Sequence, residues 1–508
     1  MAASWARRWA SYVDVVGGSA RVRLALRCAA YALHACARPG AGAIDLAGTS
    51  FVRDRGDDFV VPAMVLLSPA CAMDALDRRW EQLPGAARDA QAKGVPRGAC
   101  LPYGTTPPWA VCGCASGTSG TSGASGTSGD RLRTHGGTMA AINAWNYYRA
   151  TQDLDWLAER GYPLIRSVAD LVANLAVLAT SASAASGAAA AGALALSGPS
   201  TYVLDAARVA GGLLLPTPPR AAAATAGNAL EVASVVATLR CAMEASYELG
   251  FAPRELWGAV RYGLGPLVQP PPATSVLAPD TPVLPEDPPE PLLCLVEPVA
   301  SLSSDLWTFL PSSAALAPNV AYWQTLESVA NASASASVSA SVASVISAPL
   351  VLAAAEAQAA QTASGTLAVL MAAGDAVLAR LDAFLDRHMH PWGDLRHASA
   401  VSAASAASGA DLGLSAQLLL VFLQGLGGVQ VQGGVTETRF YYASLGVNAN
   451  ASAVLPSTWQ QLVIHGLGAQ QDDLILFNRA SASGGGSWNP GNLGPPPVLV
   501  PWSVSALS

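Results

Sequence analysis

Residues Arg131–Ile165 read RLRTHGGTMAAINAWNYYRATQDLDWLAERGYPLI. Met139, Ile142 and Trp145 share one stripe at helical spacing. Thr151 reads as the N-cap of a second, short helix carrying Leu154 and Leu157. Gly161 reads as its stop, and Pro163 opens a third helix. The expected order is helix, short break, short helix, helix.

Working outward, the same period recurs. Ser19–Cys36 carries Val22, Leu24, Leu26, Tyr31 and Leu33, and Trp5, Trp9 and Tyr12 ahead of it also fall at helical spacing, so residues 1–50 are expected to be largely helical. Pro62–Trp80 turns Met64, Leu67, Met73 and Leu76 inward and Asp77, Arg78 and Arg79 outward, with Pro69 expected to kink or split it. Helices are also expected over Pro163–Ala179, Leu230–Leu249 (ended by Gly250), Asn319–Val329 and Leu367–His388. After Gly427 the pattern changes to short β-type runs, VQVQ, TRFYYASLGV, WQQLVIHGL and DDLILFN, separated by Gly, Asn and Pro. The tail from Ser481 is Gly/Pro-rich and expected to be loose.

Low-complexity stretches at 116–129, 180–197, 269–291, 330–348 and 398–410 lack the large apolar side chains a core needs and read as solvated insertions. A chain of 508 residues suits roughly two to four domains, or one large barrel with an appendage. Its hydrophobic share of 51% is rich in alanine, and the run Val342–Ala355 is too short to span a bilayer. The N-terminus lacks the apolar core of a secretory signal, so a cytoplasmic address is the default expectation. Net charge is −7, Lys93 is the sole lysine and the arginines are dispersed, which argues against a nucleic-acid partner. Cys100, Cys112 and Cys114 have no Cys-x-x-Cys spacing or partnered histidine and read as free thiols rather than metal ligands. His388, His390 and His397 read as a helix end rather than a metal site. No cofactor or metal is called for.

The central stretch resembles the core of glycoside hydrolase family 65, which includes maltose, trehalose and kojibiose phosphorylases and the glucosidase acting on glucosyl-galactosyl-hydroxylysine. That family carries Glu-x-His-x-Asn-Gly before a helix ending Tyr-Tyr-x-x-Thr-x-Asp. Tyr147, Tyr148, Thr151 and Asp153 match the end, and His135 matches the histidine. Leu83–Thr106 is similar to a second family motif through Gly85, Ala86, Ala90, Gly94, Gly98, Ala99 and Pro102. Leu455–Leu467 is similar to the strand opening the family's small C-terminal domain. The resemblance implies a mainly α protein: an (α/α)6 barrel, or six-hairpin toroid, with a small C-terminal β-sheet domain. It divides the chain into linker helices (1–50), barrel (51–426), β-domain (427–480) and tail (481–508), with the family's N-terminal β-sandwich absent.

The resemblance also implies inverting cleavage of an α-linked glucoside of glucosyl-galactose or kojibiose type, with a carbohydrate as partner. Inverting cleavage needs an acid to protonate the departing oxygen and a base to activate water. An ungapped count places Arg133 where the family has its acidic glutamate, and arginine cannot donate that proton. A small register shift brings Asp130 there instead. His135 is open to either an acid or a sugar-binding role. Glu290, with Glu286 nearby, is a candidate base. The family's Phe-Trp-Asp-x-Glu segment corresponds to Phe51–Pro62, where Arg55 falls at the aspartate and Asp57 at the glutamate, with Asp54 and Asp58 adjacent. Asp54 and Asp57 are candidate sugar contacts, against a solvated helix lead-in. Tyr103 is a candidate stacking platform, against a tyrosine packed under a loop. The substitution at Arg133 keeps a second reading open, a catalytically inactive carbohydrate-binding relative.

Overall fold

The computed structural model describes residues 9–36, 56–101, 134–178, 202–204, 229–268, 367–395, 412–433, 438–442, 454–468, 472–477 and 499–500, with isolated helical positions between 321 and 360. The helices are α1 (Ala20–Cys36), α2 (Val61–Leu67), α3 (Pro69–Ala92), α4 (His135–Thr151), α5 (Tyr162–Leu175), α6 (Ala229–Glu248), α7 (Glu255–Val268), α8 (Leu367–His388) and α9 (Leu412–Leu420). Among the described residues π-turns interrupt or extend them: Gly56–Val60 before α2, Leu157–Gly161 before α5 and Val421–Leu426 after α9.

The helix α4 is the hub. Every residue from Gly136 to Ala150 is buried, so it is covered on all sides rather than along one stripe. Its first turn meets the first half of α6, where Thr138 Oγ1 lies 3.1 Å from Ser234 Oγ. Its last turn meets the end of α6, where Tyr148 Oη donates to Glu248 Oε2 at 3.2 Å. The two helices therefore run parallel. The start of α5 lies beside the end of α6, with Tyr162 Oη 3.1 Å from Ser246 Oγ, so α5 runs the opposite way. Helices that descend side by side, each returned by an antiparallel partner, are the repeating unit of a helical toroid.

The corner between α4 and α5 differs from the expected cap. Thr151 is the last residue of α4 and its hydroxyl donates back to the Tyr147 carbonyl (2.8 Å). Gln152 takes the left-handed conformation, and Asp153 caps the next turn by accepting from the Trp156 amide at 2.9 Å. An N-cap of this kind contributes about 1 kcal/mol. Gly161 does not stop the helix. It closes a π-turn that runs directly into α5. Pro69 splits its segment as expected, occupying the first turn of α3, and α3 continues to Ala92 with Pro84 inside it. The loop after α3 crosses α5 so closely that a Cβ on Gly98, at φ +110°, would lie 2.2 Å from the Leu171 nitrogen.

The N-terminal reading needs correction. Tyr12–Val16 is strand β1, with Val13 and Val15 buried and their neighbours less so, a period of two that the spacing of Trp9 and Tyr12 masked. Trp9 instead folds back on α1, stacked on Tyr31 and edge-on to His34. β1 pairs antiparallel with β6 (Gln461–Leu467), which pairs with β7 (Asp472–Phe477) and then β8 (Leu499–Val500). The small sheet thus takes one strand from the N-terminal segment and one from the tail read as loose. The expected runs at 429–433 and 438–442 form a separate hairpin, β4–β5, lying against α4. Ala176–Leu178, expected to finish α5, is strand β2 paired with β3 (Tyr202–Leu204). The segment Asn319–Val329 lies outside the described residues apart from isolated positions, and so do the five low-complexity stretches. No described helix is long and apolar enough to cross a membrane.

Candidate active site

The π-turn Gly56–Val60 sits at the entrance to α2, with all five residues buried. Two elements clamp it. Arg79 of α3 forms an ion pair with Asp57 and also donates to Gln82 Oε1 (3.3 Å). Asn143 of α4 donates from Nδ2 to the Asp57 carbonyl at 2.7 Å. Arg79, expected to face outward, is therefore among the largest fully buried side chains. Its charge is tolerated there because Asp57 neutralises it.

With Asp57 turned back onto Arg79, the next carboxylate faces the start of α4. Asp58 Oδ1 lies 2.8 Å from His135 Nε2. The Asp58 side chain is 2% exposed and that of His135 13%, so the histidine is the outward member. Below it, Thr138 Oγ1 donates to the His135 carbonyl at 2.9 Å and packs on Ser234. Asp58, His135, Thr138 and Ser234 make a polar seam along α4, between the π-turn and α6. Single-sequence reading gave no role to Arg79, Asn143, Thr138 or Ser234. Only Arg79 left a trace, three residues beyond the inward Leu76 and on its face.

The tyrosine pair lies elsewhere. Tyr147 is twelve residues along α4 from His135, or about 18 Å at the rise of a helix. Tyr147 meets Trp156 edge-on at 4.5 Å, and Trp156 Nε1 donates to Asp77 Oδ1 (2.9 Å), which also pairs with Arg160. Burial, with Asp153 nearby, pushes the Tyr147 hydroxyl up to about 12, and burial with Glu248 does the same for Tyr148. These are framework groups, uncharged at ordinary pH.

Residues 54–185 match the glycosyl hydrolase family 65 central catalytic domain. Over this stretch the chain is similar to that family. A curated "Kojibiose hydrolase" from Mucilaginibacter mallensis is 28% identical over 178 residues, 34% of this chain and 25% of that protein. A second, from Flavobacterium johnsoniae, is 26% identical over 116 residues, 23% and 15% of the two chains. The matches thus span a quarter or less of the length of these curated relatives. A solved structure titled "Putative kojibiose phosphorylase from human microbiome" superposes with a TM-score of 0.50 at 9% identity, covering 93% of this chain and 59% of the other. That likeness is one of fold, and with the helical alternation around α4 it implies an (α/α)6 barrel.

Of the candidate catalytic and sugar-binding residues singled out from sequence, His135 and Asp57 are described, and the structure gives them different surroundings: His135 faces Asp58, and Asp57 faces Arg79. Asp54, Tyr103, Asp130, Arg133 and Glu290 lie outside the described residues. The family glycine Gly98 and Ala99 hold the loop after α3 on α5, Ala99 donating its amide to the Ser167 carbonyl at 3.0 Å. Another buried carboxylate, Asp170 on α5, is held by Arg254 and by Trp257 Nε1 (3.1 Å) of α7. His388 stacks on Phe384 at the end of α8, where a basic group meets the helix C-terminus. Among the described residues no three His, Cys, Asp or Glu side chains converge as metal ligands.

Proposed function

We propose that the chain binds and cleaves an α-linked glucoside of kojibiose or glucosyl-galactose type by inverting hydrolysis, at the seam formed by Asp58, His135, Thr138 and Ser234. The observation that carries this reading is the position of His135. The one described residue of the family's Glu-x-His motif stands at the start of the hub helix, partly exposed and held by a buried carboxylate. Both curated relatives bear the name kojibiose hydrolase, which supports the substrate class. In such a reaction water attacks the anomeric carbon, an acid protonates the departing oxygen as the carbon–oxygen bond breaks, and a base takes the proton of water. Asp130 is the candidate acid and Glu290 the candidate base. Asp54 and Tyr103 are candidate sugar contacts.

A specific residue favours a second reading. Arg133 stands at the family's acid position by ungapped count, and a permanent cation cannot donate there. On that reading the seam binds a glucoside and does not turn it over.

Incubation of the purified protein with kojibiose and with glucosyl-galactose, with and without phosphate, separates these outcomes. Hydrolysis releases glucose, initially as the β-anomer by NMR, independently of phosphate. Phosphate-dependent release of glucose 1-phosphate would replace hydrolysis with phosphorolysis. Calorimetric binding without product supports the inactive relative, and restored turnover in Arg133→Glu would fix the register of the acid. Neither binding nor turnover of either sugar overturns both readings.

A further inference from the structure

We propose that Trp392 is the stacking platform of a second carbohydrate position, on the outer face of α1, which takes a glucose unit of an α-linked oligosaccharide. The ligand class rests on the glucoside reading above, and the place rests on separate geometry. Beyond α8 the chain turns tightly, with Met389 and Leu395 bridged antiparallel. The Gly393 amide donates to the His390 carbonyl (2.8 Å) and the His390 amide to that of Asp394 (2.9 Å), with Trp392 inside the turn. The turn is seated on α1. Cys28 Sγ donates to the Trp392 carbonyl at 3.4 Å. Gly393, at φ +92°, lies so close that a Cβ there would meet both Cys28 Sγ and Leu24 Cγ at 2.7 Å. Arg21 pairs with Asp386, tying the end of α8 to the same helix. The backbone is thus held, yet the Trp392 side chain stands out with the residue 79% exposed. Among the described residues the indole makes no hydrogen bond and no ring contact.

Its surroundings select the kind of ligand. Leu24, Arg27 and Tyr31 follow at helical spacing on the outer face of α1, and all three are exposed. Trp392, Leu24 and Tyr31 together leave roughly 400 Å² of surface open, well short of the ~800 Å² that each partner contributes to a stable protein interface. A patch of that size suits a small ligand. A pyranose offers C–H groups on one face and hydroxyls around its rim. The indole answers with a flat apolar face and an N–H at its edge, and Arg27 adds charged donors. The inner side of α1 packs on α9, which in turn packs on the π-turn of the candidate active site, so the platform is a layer removed from that site. Stacking on an open ring is weak, and millimolar affinity is expected.

The test uses protein labelled with 15N-tryptophan, whose thirteen indole signals are resolved by NMR, with Trp392→Ala assigning the one concerned. Titration with maltoheptaose is expected to shift the Trp392 indole signal to saturation. By calorimetry Trp392→Ala is expected to weaken that binding about tenfold, and Trp392→Tyr, which keeps a flat ring, to recover part of it. Urea midpoints and kojibiose turnover, where the wild type shows it, are expected to be the same in all three proteins. A Trp392 signal unmoved by maltoheptaose, or equal binding in Trp392→Ala, overturns the platform and leaves the active-site reading untouched. Self-association in sedimentation that Trp392→Ala abolishes, without any effect of sugar, also overturns it, in favour of a contact between copies of the chain. Maltoheptaose binding at Trp392 in a protein that neither binds nor cleaves kojibiose at the seam upholds the platform and removes the other reading instead.

Discussion

Arg79 and Asp57 form an ion pair from which water is excluded, with side chains 1% and 3% exposed. Breaking such a pair from one side strands a charge in the interior, which costs about 3–5 kcal/mol, whereas replacing both partners with neutral groups is far milder. Arg79→Met alone and Asp57→Asn alone are expected to lower stability by amounts in that range. The double variant is expected to recover a large part of the loss. Urea denaturation at neutral pH reads all three. Additive losses in the double variant would show that the two residues act independently.

Why the sequence revealed some of this and not the rest follows from the range of each interaction. α8 was readable at both ends because its twenty-two residues repeat one apolar period and close on basic side chains. β1 was not, because five residues give little period and the partner that makes them a strand is β6, at the far end of the chain. The π-turns left no signal either, since they are a change of backbone hydrogen-bond register rather than of composition. That is why Asp57 and Asp58 could not be told apart by counting. Arg79 was misread for the opposite reason: a charged residue is outward by default, and the acid that neutralises it lies across the α2–α3 turn.

Tyr147 and Tyr148 should keep their protons beyond the range of ordinary phenols. Both are raised from 10 to about 12, first by burial and then by Asp153 for Tyr147 and Glu248 for Tyr148. The folded state therefore holds these protons at pH values where the unfolded chain releases them. The stability they contribute is complete below pH 10 and lost as pH rises from 10 through 12. Spectrophotometric titration of phenolate should show a late-ionising fraction that is missing from the Tyr147→Phe/Tyr148→Phe double variant. Full ionisation of the wild type near pH 10, while folded, would contradict the burial seen here.

Asp170 gives the corresponding effect on the acid side. Burial raises its carboxyl above 3.8, although Arg254 and the Trp257 indole pull it down. The folded state binds this proton more tightly than the unfolded one, so its stabilising contribution is present below pH 3.8 and fades as pH rises through the folded value. Asp170→Asn carries no such proton. The stability of the wild type relative to this variant is expected to decline with rising pH over mildly acid conditions, measured by urea unfolding in steps from about pH 3.5 to 6.5. A difference that instead grew in the wild type's favour would mean that Arg254, not burial, sets the balance at this carboxylate.

Two glycines in the family motif after Leu83 make a paired test of the packing between α3 and α5. Gly98 adopts φ +110°, and a Cβ there would meet the Leu171 nitrogen at 2.2 Å and its Cα at 2.4 Å, both backbone atoms of a packed helix. Gly85 lies within α3, where a Cβ would meet nothing within 4 Å. Gly98→Ala must push α5 away or force the loop out of its left-handed conformation, and is expected to cost about 2 kcal/mol or more. Gly85→Ala removes backbone freedom from the unfolded chain without a clash and is expected to stabilise by about 0.5–1 kcal/mol. Thermal and urea unfolding of the two variants should therefore move in opposite directions. Because the loop carrying Gly98 also places Leu101 beside Gly137 of the hub helix, Gly98→Ala is further expected to weaken any glucoside binding at the His135 seam, while Gly85→Ala leaves it unchanged. Equal and small effects from both substitutions would show that the loop is not wedged against α5 in solution.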